Sequence, residues 1–213
     1  EFLTVPAPFL ALTATATPKV IDDIQEKLLF KQKNVLWKSF ERKNLIYLVR
    51  NVENKNGYLV KTLQKVKGTG IIYTRSRKRT WELAELLQKQ GISADFYHAG
   101  LESDIRNKKQ DAWQNGRVRI ITATNAFGMG IDKPDVRFVI HYDLPDSLEA
   151  YYQEAGRAGR DGERSFAVLL FNENDRVKVE HRKKTNFPEI KEIKAIYEAL
   201  GNFLKVPVEG GKY

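Results

Sequence analysis

Gln153, Arg157 and Arg160 are spaced i, i+4 and i+7. A helix continued through them puts all three on one face, with Gly156 and Gly159 leaving room beside them. Guanidinium forks match phosphate geometry, and an arginine delivered to a γ-phosphate stabilises the charge that develops during transfer. The bland alternative is an exposed Arg-Gly helix end on a basic surface. A second loop, from Thr124 to Asp132, carries Thr124, Asn125, Gly128, Gly130 and Asp132. Such a loop can approach a phosphate backbone on one side and a ribose on the other, or simply be a turn that needs glycine dihedrals. It is not a dinucleotide fingerprint, because Lys133 stands where the third glycine belongs and a strand follows instead of a helix. Thr74, Arg75 and Ser76 end a predicted strand and open a helix, where backbone N–H groups and the dipole attract a phosphate. Ser76 also suits a plain N-cap. His98 and Gly100 follow another strand, and a histidine there is more often structural or superficial than catalytic.

These loops need elements to position them. Apolar, β-branched runs predict strands over 70–74, 94–98, 118–123, 136–142 and 165–171. Between them lie helices over 77–90 and 103–115, and a third that starts after Ser147. Ser76 caps the first, Gly91 stops it, and Trp81, Ala84 and Leu87 form its stripe. Ser103 caps the second, which is buried through Ile105, Ala112 and Trp113. Trp81, Trp113, Tyr151 and Tyr152 read as core first and as base-stacking platforms second. The alternation implies an α/β fold, a parallel sheet with helices on both faces, whose ligands bind at the carboxyl ends of the strands. Residues 9–13 read as a strand and 18–29 as a helix opened by Pro18, a lone βα unit left from a preceding domain. Residues 188–204 read as an amphipathic helix.

The 213 residues carry a net charge of +9 and are 42% hydrophobic, an ordinary globular balance. With no cysteine the chain has no disulfide, no zinc ribbon or finger and no thiol nucleophile, which points to a reducing compartment. The three histidines, at 98, 141 and 181, are too scattered for a metal cage. No apolar run approaches the roughly 18 to 20 residues of a membrane span. The expectation is a cytoplasmic protein, nucleoid-associated if bacterial, with no membrane partner. The only methionine is Met129, so the chain is expected to start inside something longer. Between Asn54 and Trp81 stand eight basic residues and no acid, a candidate phosphate-binding stripe. Missing are a Gly-x-x-x-x-Gly-Lys-Ser/Thr phosphate loop, an Asp-Glu-x-x box, a nucleophile elbow and a His-Glu-x-x-His pair. These residues are therefore not expected to hold Mg-nucleotide by themselves.

Read in order, the loops resemble the RecQ family of DNA helicases, which have two RecA-like motor domains. Residues 10–17, Leu-Ala-Leu-Thr-Ala-Thr-Ala-Thr, are similar to motif III at the close of the first motor domain, and residues 39–45 to the opening of the second. Residues 70–77 resemble motif IV, 97–101 the Tyr-His-Ala-Gly-Leu segment, 123–134 motif V and 151–162 motif VI. The likeness runs from about Phe9 to Phe171. It implies a RecA-like, P-loop-NTPase-type fold and an enzyme that hydrolyses ATP with Mg2+ and moves 3′ to 5′ along single-stranded DNA, with single-stranded and partly duplex DNA as partners. By the same resemblance Arg160 is the arginine finger, and Arg157 and Gln153 assist at the phosphates or couple them to DNA. Gly130 and Asp132 lie at the nucleotide. Thr74, Arg75, Ser76, His98, Gly100, Thr124 and Asn125 hold the DNA backbone, and Thr13 and Thr15 couple the two activities. Residues 1–34 would be the remnant of the first motor domain, 35–185 the second, and 186–213 the start of a downstream helical region. The phosphate loop and Mg-binding box belong to the missing first domain, so these residues alone are expected not to turn over ATP. No zinc is expected, since the four-cysteine module of many relatives has no counterpart. The alternatives are a non-enzymatic nucleic-acid-binding module of the same fold and a translocase that does not unwind duplexes.

Overall fold

The structure, a computed structural model, describes residues 10–13, 16–37, 41–128 and 131–204. The chain divides after Lys43 into two compact units. In the first, α1 (Pro18–Lys27) opens on its proline, whose missing N–H costs nothing at that position, and Thr17 Oγ1 accepts from Val20 N at 3.4 Å. Residues 10–13 form no strand, contrary to the sequence expectation. A strand needs neighbours for its N–H and C=O groups, and no strand exists among the described residues of this unit.

The second unit runs β1 (Leu45–Asn51), α2 (Lys55–Lys65), β2 (Thr69–Tyr73), α3 (Arg77–Lys89), β3 (Ala94–Tyr97), α4 (Ser103–Gln114), β4 (Ile120–Ala123), β5 (Val136–His141), α5 (Leu148–Ala155), β6 (Ser165–Phe171), α6 (Glu173–Asn186) and α7 (Ile190–Leu204). The six strands form one sheet in the order β1-β6-β5-β2-β4-β3, every pair parallel. Ile71, Ile72, Ile120 and Ile121 are wholly buried, as continuous apolar strands must be when helices cover both faces. One face packs Trp113 of α4 and Ala155 of α5; the other packs Leu59 and Leu63 of α2 with Leu83 and Leu87 of α3. This is the α/β class that the alternation predicted. Among the described residues, no helix is long and apolar enough to cross a membrane.

Side-chain placement departs from the predicted stripes. In α3 the buried positions are Thr80, Leu83, Ala84 and Leu87, an i, i+3, i+4, i+7 set. Trp81 stands one residue round from Thr80 and is 48% exposed. Ser76 does cap this helix, accepting from Arg79 N at 3.3 Å. In α4 the N-cap is Glu102, without a side-chain bond, and Ser103 Oγ instead accepts from Arg106 Nη2 at 3.1 Å. Ile105 is exposed and α4 buries Trp113 alone, whose indole N–H donates to the Gly70 carbonyl at 3.2 Å. Tyr152 is exposed too, in a cluster with Tyr47 and Tyr151.

The basic stripe is also broken. Lys55 is buried, with Nζ 2.6 Å from Asp175 Oδ2 and donating at 2.6 Å to the Tyr142 carbonyl. It is unavailable to a phosphate. Asp175 in turn closes a capping box with Asn172 at the start of α6. The pair ties α2, the end of β5 and α6 into one block.

Candidate functional site

Strands β5, β2, β4 and β3 are neighbours, and Tyr73 lies level with His141 and Ala123, as Tyr97 does with Ala123. The segments that follow them therefore emerge side by side at the carboxyl edge. The ladder continues a step beyond the strands, with Thr74 N donating to Ala123 O at 2.9 Å and Thr124 N to Tyr97 O at 3.3 Å. Thr74 and Thr124 are buried, His98 is half-buried, and Arg75, Ser76, Gly100 and Asn125 are exposed. All seven predicted backbone-binding residues thus stand along one edge. Burial, helped by the Arg77 cation, holds the His98 imidazole below the usual histidine range, so it is neutral at pH 7.

The edge brings acids as well, which the sequence reading did not single out. Asp143 Oδ2 accepts from Thr74 Oγ1 at 2.6 Å and from Arg75 N at 3.0 Å. Asp146 Oδ2 lies 2.5 Å from Arg75 Nη1. Both aspartates belong to the loop after β5. The chain leaves β2 toward β3 on one side and leaves β5 toward β6 on the other, so a crevice opens between them. It is a cleft of about 70 Å³, lined among others by Thr74, Asn125, His141, Asp143 and Glu154. His141 Nε2 and Glu154 Oε2, 2.9 Å apart, tie β5 to α5 across its floor.

The arginines do not share a helical face. Helix α5 ends at Ala155 with Gly156 as its C-cap, and Gly156 N donates to Tyr152 O at 2.9 Å. Three glycines within seven residues favour turns over helix continuation. Gly159 has φ +64°, its N–H donates to Val136 O at 2.8 Å, and Asn44 Nδ2 donates to its carbonyl at 2.7 Å. A Cβ there meets the Asn44 amide and the Ser165 hydroxyl, so only glycine fits the turn.

The turn sends both guanidiniums to the other loop. Arg157 Nη1 donates to Gly128 O at 2.5 Å, and Gly128 lacks the Cβ that would collide with that guanidinium. Arg160 Nη1 donates to Ile131 O at 3.2 Å and to Asp132 Oδ1 at 2.9 Å. Arg157, Arg160 and Asp132 are therefore brought together, while Gln153 stays exposed on α5. Gly130 and Thr15 lie outside the described residues, and Thr13 belongs to the first unit.

The glycine loop is pinned by a residue that sequence reasoning passed over. Phe127 is fully buried, edge-on to Trp113 at 5.3 Å and to Tyr97 at 4.8 Å, and its carbonyl accepts from Tyr73 Oη at 2.8 Å. Burial pushes the Tyr73 phenol far above its usual range, with Arg157 opposing the shift, so it stays a donor. The signal available was a lone aromatic within a polar, glycine-rich loop. Chemically, two guanidiniums held by carbonyls and one exposed carboxylate can exchange those partners for phosphate oxygens.

Such a parallel sheet, with polar and glycine-bearing loops along its carboxyl edge, defines an α/β domain of the RecA-like kind. Residues 54–162 match the family described as Helicase conserved C-terminal domain. Over 167 residues the chain is 44% identical to the ATP-dependent DNA helicase RecQ of Bacillus subtilis, covering 78% of this chain and 28% of that protein. Over 173 residues it is 47% identical to the ATP-dependent helicase SGS1 of Saccharomyces cerevisiae, covering 79% of this chain and 12% of that one. The chain thus spans a minor part of either relative. The E. coli DEAD-box protein SrmB, solved bound to the regulator of ribonuclease activity A, aligns with a TM-score of 0.57 at 29% identity, over 65% of this chain and 82% of that one. Dbp5 of S. cerevisiae aligns with a TM-score of 0.65 at 21% identity, over 88% and 52%, and shares the fold. The chain belongs to the helicase conserved C-terminal domain family and, within it, to the RecQ group.

Proposed function

We propose that residues 35–185 act as the second motor domain of an ATP-dependent DNA helicase that moves 3′ to 5′ on single-stranded DNA. Residues 1–34 then belong to the first motor domain and 186–213 to a downstream helical region. The observation that carries this reading is the meeting of Arg157, Arg160 and Asp132 beside the loop after β4, with the Thr74-Ser76, His98-Gly100 and Thr124-Asn125 segments along the same sheet edge. Arg160 is the finger that reaches the γ-phosphate, Arg157 and Gln153 assist at the phosphates or couple them to DNA, Asp132 lies near the ribose, and Gly130 belongs to the ATP-binding set. The donor set fits ATP with Mg2+ in part: two guanidiniums and a carboxylate suit phosphates and ribose, and a first motor domain supplies the metal's ligands. Bound there, ATP supplies the free energy for translocation. Thr13 and Thr15 couple the two domains.

The test is DNA-stimulated ATP hydrolysis by the intact protein, wild type against Arg160→Ala, with nucleotide and DNA binding measured in parallel. A finger is worth about 10³ to 10⁵ in rate, or roughly 4 to 7 kcal/mol of barrier. A loss of that size with binding preserved supports the assignment, and a change under about tenfold moves it to Arg157. The 213 residues alone are expected not to hydrolyse ATP. Hydrolysis by the pure chain contradicts the division of labour, and DNA binding without ATP turnover by the intact protein favours a non-enzymatic binding module.

A further inference from the structure

Beside the Arg75-Ser76 loop runs a groove of about 370 Å³ between the start of α3 and helix α6. Arg75 and Arg79 stand on one wall; Lys178, His181 and Arg182 stand on the other. Positions 178, 181 and 182 are i, i+3 and i+4, so α6 presents them on one face. That face is held in place, because the Asn172–Asp175 capping box and the buried Lys55–Asp175 pair anchor the first turn of α6. The acids in the lining are Asp143, which already takes the Thr74 and Arg75 donors, and Asp175, which Lys55 neutralises. Arg79 is paired with Glu82 at 3.0 Å and Lys178 Nζ lies 3.6 Å from Asp175 Oδ1, so Arg75 and Arg182 are the lining cations that face each other across the groove.

Asp146 links the two walls. Its Oδ2 is 2.5 Å from Arg75 Nη1 and its Oδ1 is 3.6 Å from Arg182 Nη1. That Arg182 nitrogen is buried without a hydrogen-bond partner. Two guanidiniums on opposite walls facing one pair of carboxylate oxygens is an arrangement that phosphate oxygens can take over. The family match ends at Asp-Gly 161–162, so α6 lies outside it.

We propose that α6 is the second wall of a nucleic-acid track. Lys178, His181 and Arg182 take the backbone phosphates of a single strand that continues past the Arg75-Ser76 loop, and Asp146 stands in for a phosphate until the strand enters. The proposal rests on the reading that the Arg75-Ser76 loop binds DNA. It is tested with the full chain and fluorescein-labelled oligothymidylate, by fluorescence anisotropy over a salt series. The variants are Lys178→Gln/Arg182→Gln, Asp146→Asn and Arg75→Gln.

Each phosphate contact on a single strand contributes about 0.7 to the log–log salt slope, so the double variant is expected to lose roughly 1.4. Asp146→Asn is expected to tighten binding, a direction that mere loss of folding does not give. A double variant with wild-type slope and affinity, beside a weakened Arg75→Gln, overturns the α6 track and leaves the loop reading standing. Wild-type affinity in all three variants removes both. Asp146→Asn without tighter binding overturns the phosphate-substitute role. Should the double variant lose affinity for polyglutamate but not for oligothymidylate, the groove is a dock for acidic protein segments and the proposal fails.

Discussion

Arg160 Nη1 lies 2.9 Å from Asp132 Oδ1, so two side chains assigned to opposite ends of a nucleotide hold one another. The pair is open to solvent, at 37% and 82% side-chain exposure, and exposed ion pairs contribute only about 0 to 1 kcal/mol. Asp132→Ala should therefore change the unfolding free energy by less than about 1 kcal/mol while weakening nucleotide binding by the intact protein. Urea denaturation and nucleotide titration on the same preparation check both halves. A stability loss above about 2 kcal/mol would make the pair a structural clamp instead.

The Lys55–Asp175 pair is the opposite case, buried at 5% and 4% side-chain exposure. Removing Lys55 leaves the buried Asp175 carboxylate with only the exposed Lys178, 3.6 Å away, so Lys55→Met alone is expected to cost about 3 to 5 kcal/mol. Lys55→Met with Asp175→Asn removes the charge and keeps an acceptor for Asn172 N, and should recover more than half of that loss. Equal destabilisation of the single and double variants in denaturant melts would contradict this account.

Phe127→Ala empties the space between Trp113 and Tyr97 and should cost about 3 to 5 kcal/mol. Phe127→Leu, closer in volume, should cost under about 1.5 kcal/mol. If loop 124–128 is positioned by this ring, the alanine variant also weakens DNA binding where the leucine variant does not. Equal DNA affinity in both, measured where both are folded, would detach the loop's position from the ring.

His98 gives a pH dependence whose sign is set by its environment. Its folded-state pKa is below the unfolded value of about 6.5, because burial and Arg77 disfavour the cation. The stability it contributes is therefore present above about pH 6.5 and is lost as pH falls through the folded-state value. Proton NMR should show the His98 ring titrating below an unperturbed histidine, and His98→Gln should flatten that part of the stability profile. A midpoint at or above about 6.5 would refute the desolvation account.

Much of the second unit is legible from residue order. The runs Ile71-Ile72, Ile120-Ile121 and Phe138-Val139-Ile140 mark buried parallel strands, and Gly91 and Gly116 mark helix ends, because both signals are local. Helices α2 and α6 and strand β1 were less visible. Helix α6 is strongly charged and buries only Asp175, and β1 lies at an edge with Tyr47 and Val49 exposed, so neither shows a clean apolar period. The predicted Arg face failed for a local reason that propensity contained: Gly156 caps the helix before Arg157, and Gly159 turns the chain between Arg157 and Arg160.

The sequence by itself determined the fold class, the loops along the sheet edge and the presence of guanidiniums near one of them. Hydrophobic period and turn chemistry act within a few residues and are readable there. Only the tertiary structure decided the partners. Thr74 meets Asp143 across 69 positions and Arg160 meets Asp132 across 28, through strand order and the turn at Gly159. It also turned Lys55 from a surface cation into a buried strut and Arg182 from a tail residue into a groove wall. Such contacts depend on which strands become neighbours, a property of the assembled sheet and not of any single segment.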